Sequence, residues 1–187
     1  MGSYLNPGNF SFRGSLRSKI YVDKSELIEK TNEVLDTRQK FLCVSRPRRF
    51  GKSMAADMLA AYYERGEDSA ELFGTLKISK VESYEKNRNQ YDIIKVNMQE
   101  FLSMTHSMDE MLSMLQKYLI FDLTDHFDNV RFRDENNLIQ VMKDIYSKTK
   151  HSFVILIDEW DCLFREYQQD QEAQKKYLDF LRAWLKD

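Results

Sequence analysis

Phe41-Leu42-Cys43-Val44-Ser45-Arg46-Pro47-Arg48-Arg49-Phe50-Gly51-Lys52-Ser53 is the stretch on which the fold turns. A short apolar run, a basic loop and a Gly-Lys-Ser triplet opening a helical pattern read as strand, phosphate loop and helix. Each residue of the triplet has a physical task. Gly51 lets the backbone come close to a phosphate, Lys52 places its ammonium on the terminal phosphates, and the Ser53 hydroxyl can ligate Mg²⁺. The helix starting there contributes its first-turn N–H groups and the positive end of its dipole. The loop departs from G-x-x-x-x-G-K-[ST] at its first position, where Arg46 replaces glycine. Gly-Lys-Ser recurs by chance, so its meaning rests on the rest of the chain.

Far downstream, Phe153-Val154-Ile155-Leu156-Ile157-Asp158-Glu159 is a continuous apolar run ending in two acids. It is the pattern of a strand buried on both faces that delivers carboxylates at its C-terminal tip. A Walker B strand has that form: Asp158 holds the Mg²⁺ shell that Ser53 also touches, and Glu159 polarises the attacking water. Taken singly, Lys52 also reads as a solvated loop lysine and the acid pair as a helix start. Together and in this order they point to a nucleotide site with Mg²⁺. Arg46, Pro47, Arg48, Arg49, Phe50, Gly51, Lys52, Ser53 and Met54 are expected around the nucleotide, and Ser53 and Asp158 at the metal. Glu159 and Lys52 are expected to carry the catalysis.

The 187 residues, 42% hydrophobic and 13% aromatic, suffice for a full core. One domain is expected over residues 1–187, with an N-terminal arm to about residue 25. No apolar run approaches the roughly 18 residues of a membrane span, and Met1 to Gly8 form neither a secretory signal nor a myristoylation pattern. A net charge of -2 argues against a broad nucleic-acid surface. The positive charge is local, in Arg46, Arg48, Arg49 and Lys52, which suits a polyphosphate. Cys43 and Cys162 make no disulfide framework and no metal spacing, and fit buried small hydrophobes in a reducing cytoplasm.

Pro7, Gly8 and Gly14 favour an extended arm to about Arg17, and Lys19 to Ser25 reads as a short β-type run. Asp23 or Ser25 caps a helix carrying Leu27, Ile28, Val34 and Leu35. Phe10 and Tyr21 read as core aromatics, with adenine stacking the weaker alternative. Met54, Met58, Leu59, Tyr62 and Tyr63 form the stripe of the helix under the loop. Tyr91 to Asn97 is a second strand. Ser107-Met108-Asp109-Glu110 is a capping box for a long helix through Leu123, and further amphipathic helices carry Leu138 to Ile145 and Tyr177 to Leu185. His106, His126 and His151 stand without metal spacing. The order of elements is that of an α/β P-loop fold, a mostly parallel sheet flanked by helices with the nucleotide outside the carboxyl ends of the strands.

With these residues in view, the chain resembles a family of prokaryotic AAA-type ATPase-like proteins, often joined to a C-terminal nuclease-like domain of the PD-(D/E)xK kind. Tyr4-Leu5-Asn6-Pro7-Gly8-Asn9, Tyr21-Val22-Asp23-Lys24-Ser25, Arg46 to Ser53, Leu72-Phe73 and Leu156 to Asp161 carry the resemblance. It accounts for Arg46, since the family is similar in having arginine there. It implies ATP and Mg²⁺ at Lys52 and Ser53 and a Walker B pair at Asp158 and Glu159. Trp160 and Asp161 fit the pattern after the acids, whereas Cys162-Leu163 departs from it. No late Asp followed by Glu-x-Lys is present, so the nuclease half is not expected in these residues.

In AAA-type sheets, the resemblance implies, a further strand follows Walker B and lies between the Walker A and Walker B strands. The chain is therefore expected to be the N-terminal part of a longer ATPase, with the Phe41–Val44 and Phe153–Ile157 strands lying apart and turnover weak or absent in isolation. Two functional classes follow: an ATPase, favoured by Glu159, and a nucleotide-binding switch or interaction module with little turnover. The sequence leaves the oligomeric state open.

Overall fold

Tyr62, Tyr63 and Phe73 lie at the centre of the first half of the fold, as a computed structural model describing residues 2–45 and 50–186 places them. The chain divides into two units, Asn6–Ile93 and, as the other, Met1–Leu5 with Ile94–Asp187.

The Asn6–Ile93 unit contains α1 (Phe10–Leu16), α2 (Glu26–Val34), α3 (Lys52–Tyr63), α4 (Ala70–Phe73), a 3-10 turn at Lys77–Lys80 and α5 (Tyr84–Asn87). Its core is aromatic: Phe12 stacks on Phe73 at 5.0 Å, and the Tyr62 ring stands edge-on to Phe73 at 5.4 Å and to Tyr63 at 4.8 Å. Both phenols are buried and both donate, Tyr62 to the Tyr84 carbonyl at 2.6 Å and Tyr63 to Asn32 Oδ1 at 2.7 Å. Such partners remove the cost of a buried hydroxyl. The stripe read on α3 is core from Met58 onward, while Met54 is exposed.

Three expectations fail in this unit. The arm is not extended: Phe10–Leu16 forms α1, because turning Phe12 inward onto Phe73 outweighs the low propensity of Gly14. Lys19 to Ser25 forms no strand, since Asp23 and Ser25 spend their side chains on backbone N–H groups. Phe41–Val44 is no strand either. Phe41, Leu42 and Val44 are 61%, 50% and 46% exposed, and no ladder pairs this run among the described residues. An extended run without a neighbouring strand meets its backbone hydrogen bonds with water.

The other unit carries the sheet. Strand β1 (Asp92–Asn97) enters it at Ile94 and is followed by α6 (Met98–Ser103), α7 (Met108–His126), α8 (Leu138–Thr149), β2 (Phe153–Asp158), α9 (Cys162–Glu166) and α10 (Gln171–Leu185). β1 and β2 pair in a two-stranded parallel sheet flanked by helices. The fold is thus α/β as expected, with a smaller sheet among the described residues. Leu115, Leu119, Val141, Ile145 and Tyr177 are fully buried in its core, against which Phe153, Ile155 and Ile157 pack from one face of β2. Every residue of β2 is only half-buried, so the expected burial on both faces is not met. Among the described residues β2 has one neighbouring strand, which leaves its other edge uncovered by sheet.

The capping box on α7 forms as read. Ser107 Oγ accepts from the Glu110 N–H at 3.2 Å, and Glu110 Oε2 accepts from the N–H of His106, one residue earlier than the ideal reciprocal bond. Asn137 and Asp170 cap α8 and α10 in the same way. No helix among the described residues is long and apolar enough to cross a membrane.

Candidate functional site

The residues expected at a nucleotide fall into both units, and each group is built within its own. On the loop side, Arg46, Pro47, Arg48 and Arg49 lie outside the described residues. Phe50 is exposed, and Gly51 is the N-cap of α3 in the left-handed conformation, φ +74° and ψ 36°. That conformation favours glycine, because a Cβ would crowd the following carbonyl. The Ala55 N–H donates to the Gly51 carbonyl at 3.0 Å and closes the first turn, which holds Lys52, Ser53 and Met54. Lys52 is half-buried and Ser53 exposed. A helix of twelve residues therefore presents its positive end at Gly51, with a lysine as its first residue.

A second lysine stands at the same point, one that motif reading did not place there. Lys24 Nζ donates to the Phe50 carbonyl at 2.6 Å. A Cβ on Gly51 would come within 3.2 Å of that ammonium. The residues beside Lys24 are anchored: Asp23 Oδ2 accepts from the Lys77 N–H at 2.8 Å, and Ser25 Oγ from the Ile78 N–H at 3.1 Å. Burial raises the Asp23 carboxyl, but hydrogen bonds from Ser25 and Lys77 outweigh it and hold the group below the usual carboxylate range. The only signal in the sequence was the Tyr21-Val22-Asp23-Lys24-Ser25 block itself.

On the acid side, β2 ends at Asp158, whose Oδ1 accepts the N–H of Glu159 at 2.9 Å. Glu159 is left-handed at φ +50°, unusual for a residue with a side chain, and turns the chain sharply off the strand. The turn is held from three sides. The Cys162 N–H donates to the Glu159 carbonyl at 3.0 Å, the buried Tyr177 hydroxyl donates to the Trp160 carbonyl at 2.8 Å, and Cys162 and Leu163 are fully buried at the start of α9. Cys162-Leu163, the departure from the family pattern, thus serves as the hydrophobic foot of the turn. Burial pushes the Cys162 thiol up to about 11, which leaves it protonated and inert.

Arg165 on α9 grips both acids after the strand. Its Nη2 meets Glu159 Oε2 at 2.5 Å and its Nη1 meets Asp161 Oδ2 at 2.9 Å. Glu159 and Arg165 are 25% and 32% exposed, so the pair is only partly screened by solvent. The expected catalytic acid is held by a guanidinium.

No group of three or more His, Cys, Asp or Glu that could hold a metal occurs among the described residues. Mg²⁺ needs no such cage: it keeps several waters and takes one or two carboxylates together with phosphate oxygens. The Asp158 carboxylate and the Ser53 hydroxyl are each, within its own unit, a hard oxygen donor of the kind it takes, so each suits Mg²⁺ by its chemistry.

A family model described as AAA-ATPase_like, Predicted AAA-ATPase, matches residues 12–187. No curated protein and no solved structure gave a match.

Proposed function

The chain belongs to the predicted AAA-ATPase-like family, which points to a nucleotide-binding P-loop domain, and from that premise we propose that it binds ATP with Mg²⁺ and hydrolyses it slowly. Lys52 and the first-turn amides of α3 take the β- and γ-phosphates, with Arg46, Pro47, Arg48, Arg49, Phe50, Gly51 and Met54 around them. Ser53 and Asp158 are the residues that would offer oxygen ligands to Mg²⁺, which when bound would neutralise charge on the phosphate oxygens. Glu159 orients a water for attack on the γ-phosphorus: the new oxygen–phosphorus bond forms as the bond to the β-phosphate oxygen breaks, and the water proton passes to the carboxylate. The observation that carries this reading is the left-handed Gly51 at the head of α3 with Lys52 as its first residue.

The Glu159–Arg165 pair sets the expectation for rate. A carboxylate paired with the Arg165 guanidinium is turned toward α9 and has to leave that partner before it can orient a water, so basal turnover is slow. The same contact supports the second reading, a nucleotide-binding switch in which Glu159 stays on Arg165 and turnover is negligible. Calorimetric titration with MgATP tests the shared core of both. Lys52→Ala is expected to weaken binding at least tenfold, since a charge-assisted phosphate contact contributes about 1.5–3 kcal/mol. Equal affinities of variant and parent would remove Lys52 from the site.

A further inference from the structure

Two other lysines of the Asn6–Ile93 unit bond carboxylates, Lys30 with Glu33 and Lys77 with Glu26, each at 2.9 Å. Lys24 instead bonds a backbone carbonyl at the head of α3. A neutral acceptor leaves the positive charge of that ammonium in place. It also takes only one of three N–H bonds, and a carbonyl engages a lysine without consuming its capacity for an anion.

The position is specific. A Cβ at Gly51 would stand 3.2 Å from Lys24 Nζ, so the ammonium lies over the glycine whose bare backbone a phosphate approaches. It stands at the positive end of α3, the helix whose first residue is Lys52. Such a concentration of positive potential has one economical use, the neutralisation of a multiply charged anion. The backbone that carries Lys24 is fixed before any ligand arrives, because Asp23 and Ser25 on either side are bonded to the Leu76–Ile78 backbone through Lys77 N–H and Ile78 N–H. A side chain delivered from an anchored segment loses less freedom on binding. Exposure of Lys24 leaves the ammonium accessible to solvent and ligand alike.

We infer that Lys24 is a second phosphate-binding lysine, placed with Lys52 on the polyphosphate of the bound nucleotide and discriminating triphosphate from monophosphate. The inference rests on the nucleotide reading proposed above and assigns that site a residue outside the Gly-Lys-Ser motif. It differs from a purely architectural role, in which Lys24 only ties Phe50 to the segment before α2.

The test is titration of the full chain with MgATP, ADP and AMP, for the parent, Lys24→Met and Lys24→Arg, with thermal unfolding to establish that each variant is folded. Lys24→Met is expected to lose about tenfold in ATP affinity and far less in AMP affinity, while Lys24→Arg keeps ATP within about threefold. Lys24→Gln replaces Lys24→Met should the latter fail to fold. An equal loss for all three nucleotides would mean that Lys24 only shapes the loop and would overturn the inference. So would unchanged ATP affinity in Lys24→Met while Lys52→Ala is impaired, an outcome that leaves the nucleotide reading standing. A parent that binds none of the three overturns both.

Discussion

Glu64, at the C-terminal end of α3, makes stability depend on pH in a direction opposite to most carboxylates. The residue is 4% exposed, and its Oε2 accepts the Gly8 N–H at 2.7 Å, fastening the Asn6-Pro7-Gly8 turn to the end of α3. Burial pushes its carboxyl up from 4.5 to about 7, against the lowering effect of the Gly8 hydrogen bond. A folded pKa above the unfolded one means the native state holds the proton more tightly. The corresponding stabilisation is complete below about pH 4.5 and is lost as pH rises through about 7. At about 1.4 kcal/mol for each pH unit, the gap amounts to about 3 kcal/mol, a large share of the roughly 5–15 kcal/mol of an ordinary domain. Glu64→Gln keeps a side-chain oxygen for Gly8 and removes the charge. Urea unfolding of parent and variant at pH 5 and pH 8 isolates the effect from other titrations. The parent is expected to lose about 2–3 kcal/mol relative to Glu64→Gln between the two conditions. Parallel pH dependence in the two proteins would refute the reasoning.

Gly51→Ala forces a Cβ into a left-handed position beside Lys24 and is expected to cost about 1–2 kcal/mol and to weaken ATP binding; an unchanged melting temperature would mean that the α3 N-cap is not left-handed. Glu159→Gln should retain ATP binding while phosphate release falls on the order of 10²-fold or more, and unchanged turnover would move the base elsewhere, with Asp161 the first candidate. Arg165→Ala releases Glu159 and is expected to raise phosphate release several-fold while stability changes by less than about 1 kcal/mol, because the pair is partly exposed. A fall in turnover together with a large stability loss would assign Arg165 to architecture alone.

The elements that sequence reading recovered are those fixed by local chemistry. Ser107 and Glu110 cap α7 because both partners lie within one turn, and the apolar period through Leu115, Leu119 and Leu123 is the period of their burial. β1 and β2 were legible as strands from their own residues, whereas their pairing with each other is visible only in the fold. Phe41–Val44 has the same apolar character and is exposed coil, because a strand exists only with a neighbour and the run itself cannot report whether one is present. Phe10–Leu16 was hidden for a related reason: Gly14 lowers its propensity, while the stabilising contact of Phe12 with Phe73 is 61 residues away in sequence. The candidate site divides along the same line. Gly51, Lys52, Asp158 and Glu159 announce themselves by type and order. Lys24 and Arg165 do not, since a lysine and an arginine acquire their roles only from what folding sets beside them.

Equilibrium titration of the chain with labelled ATP, with and without Mg²⁺, tests the central claim most directly. Saturable binding at one site per chain is expected, strengthened by Mg²⁺ and displaced by unlabelled ADP far better than by adenosine. Absence of saturable binding, or displacement by adenosine as readily as by ADP, would contradict the assignment of a phosphate site to the head of α3.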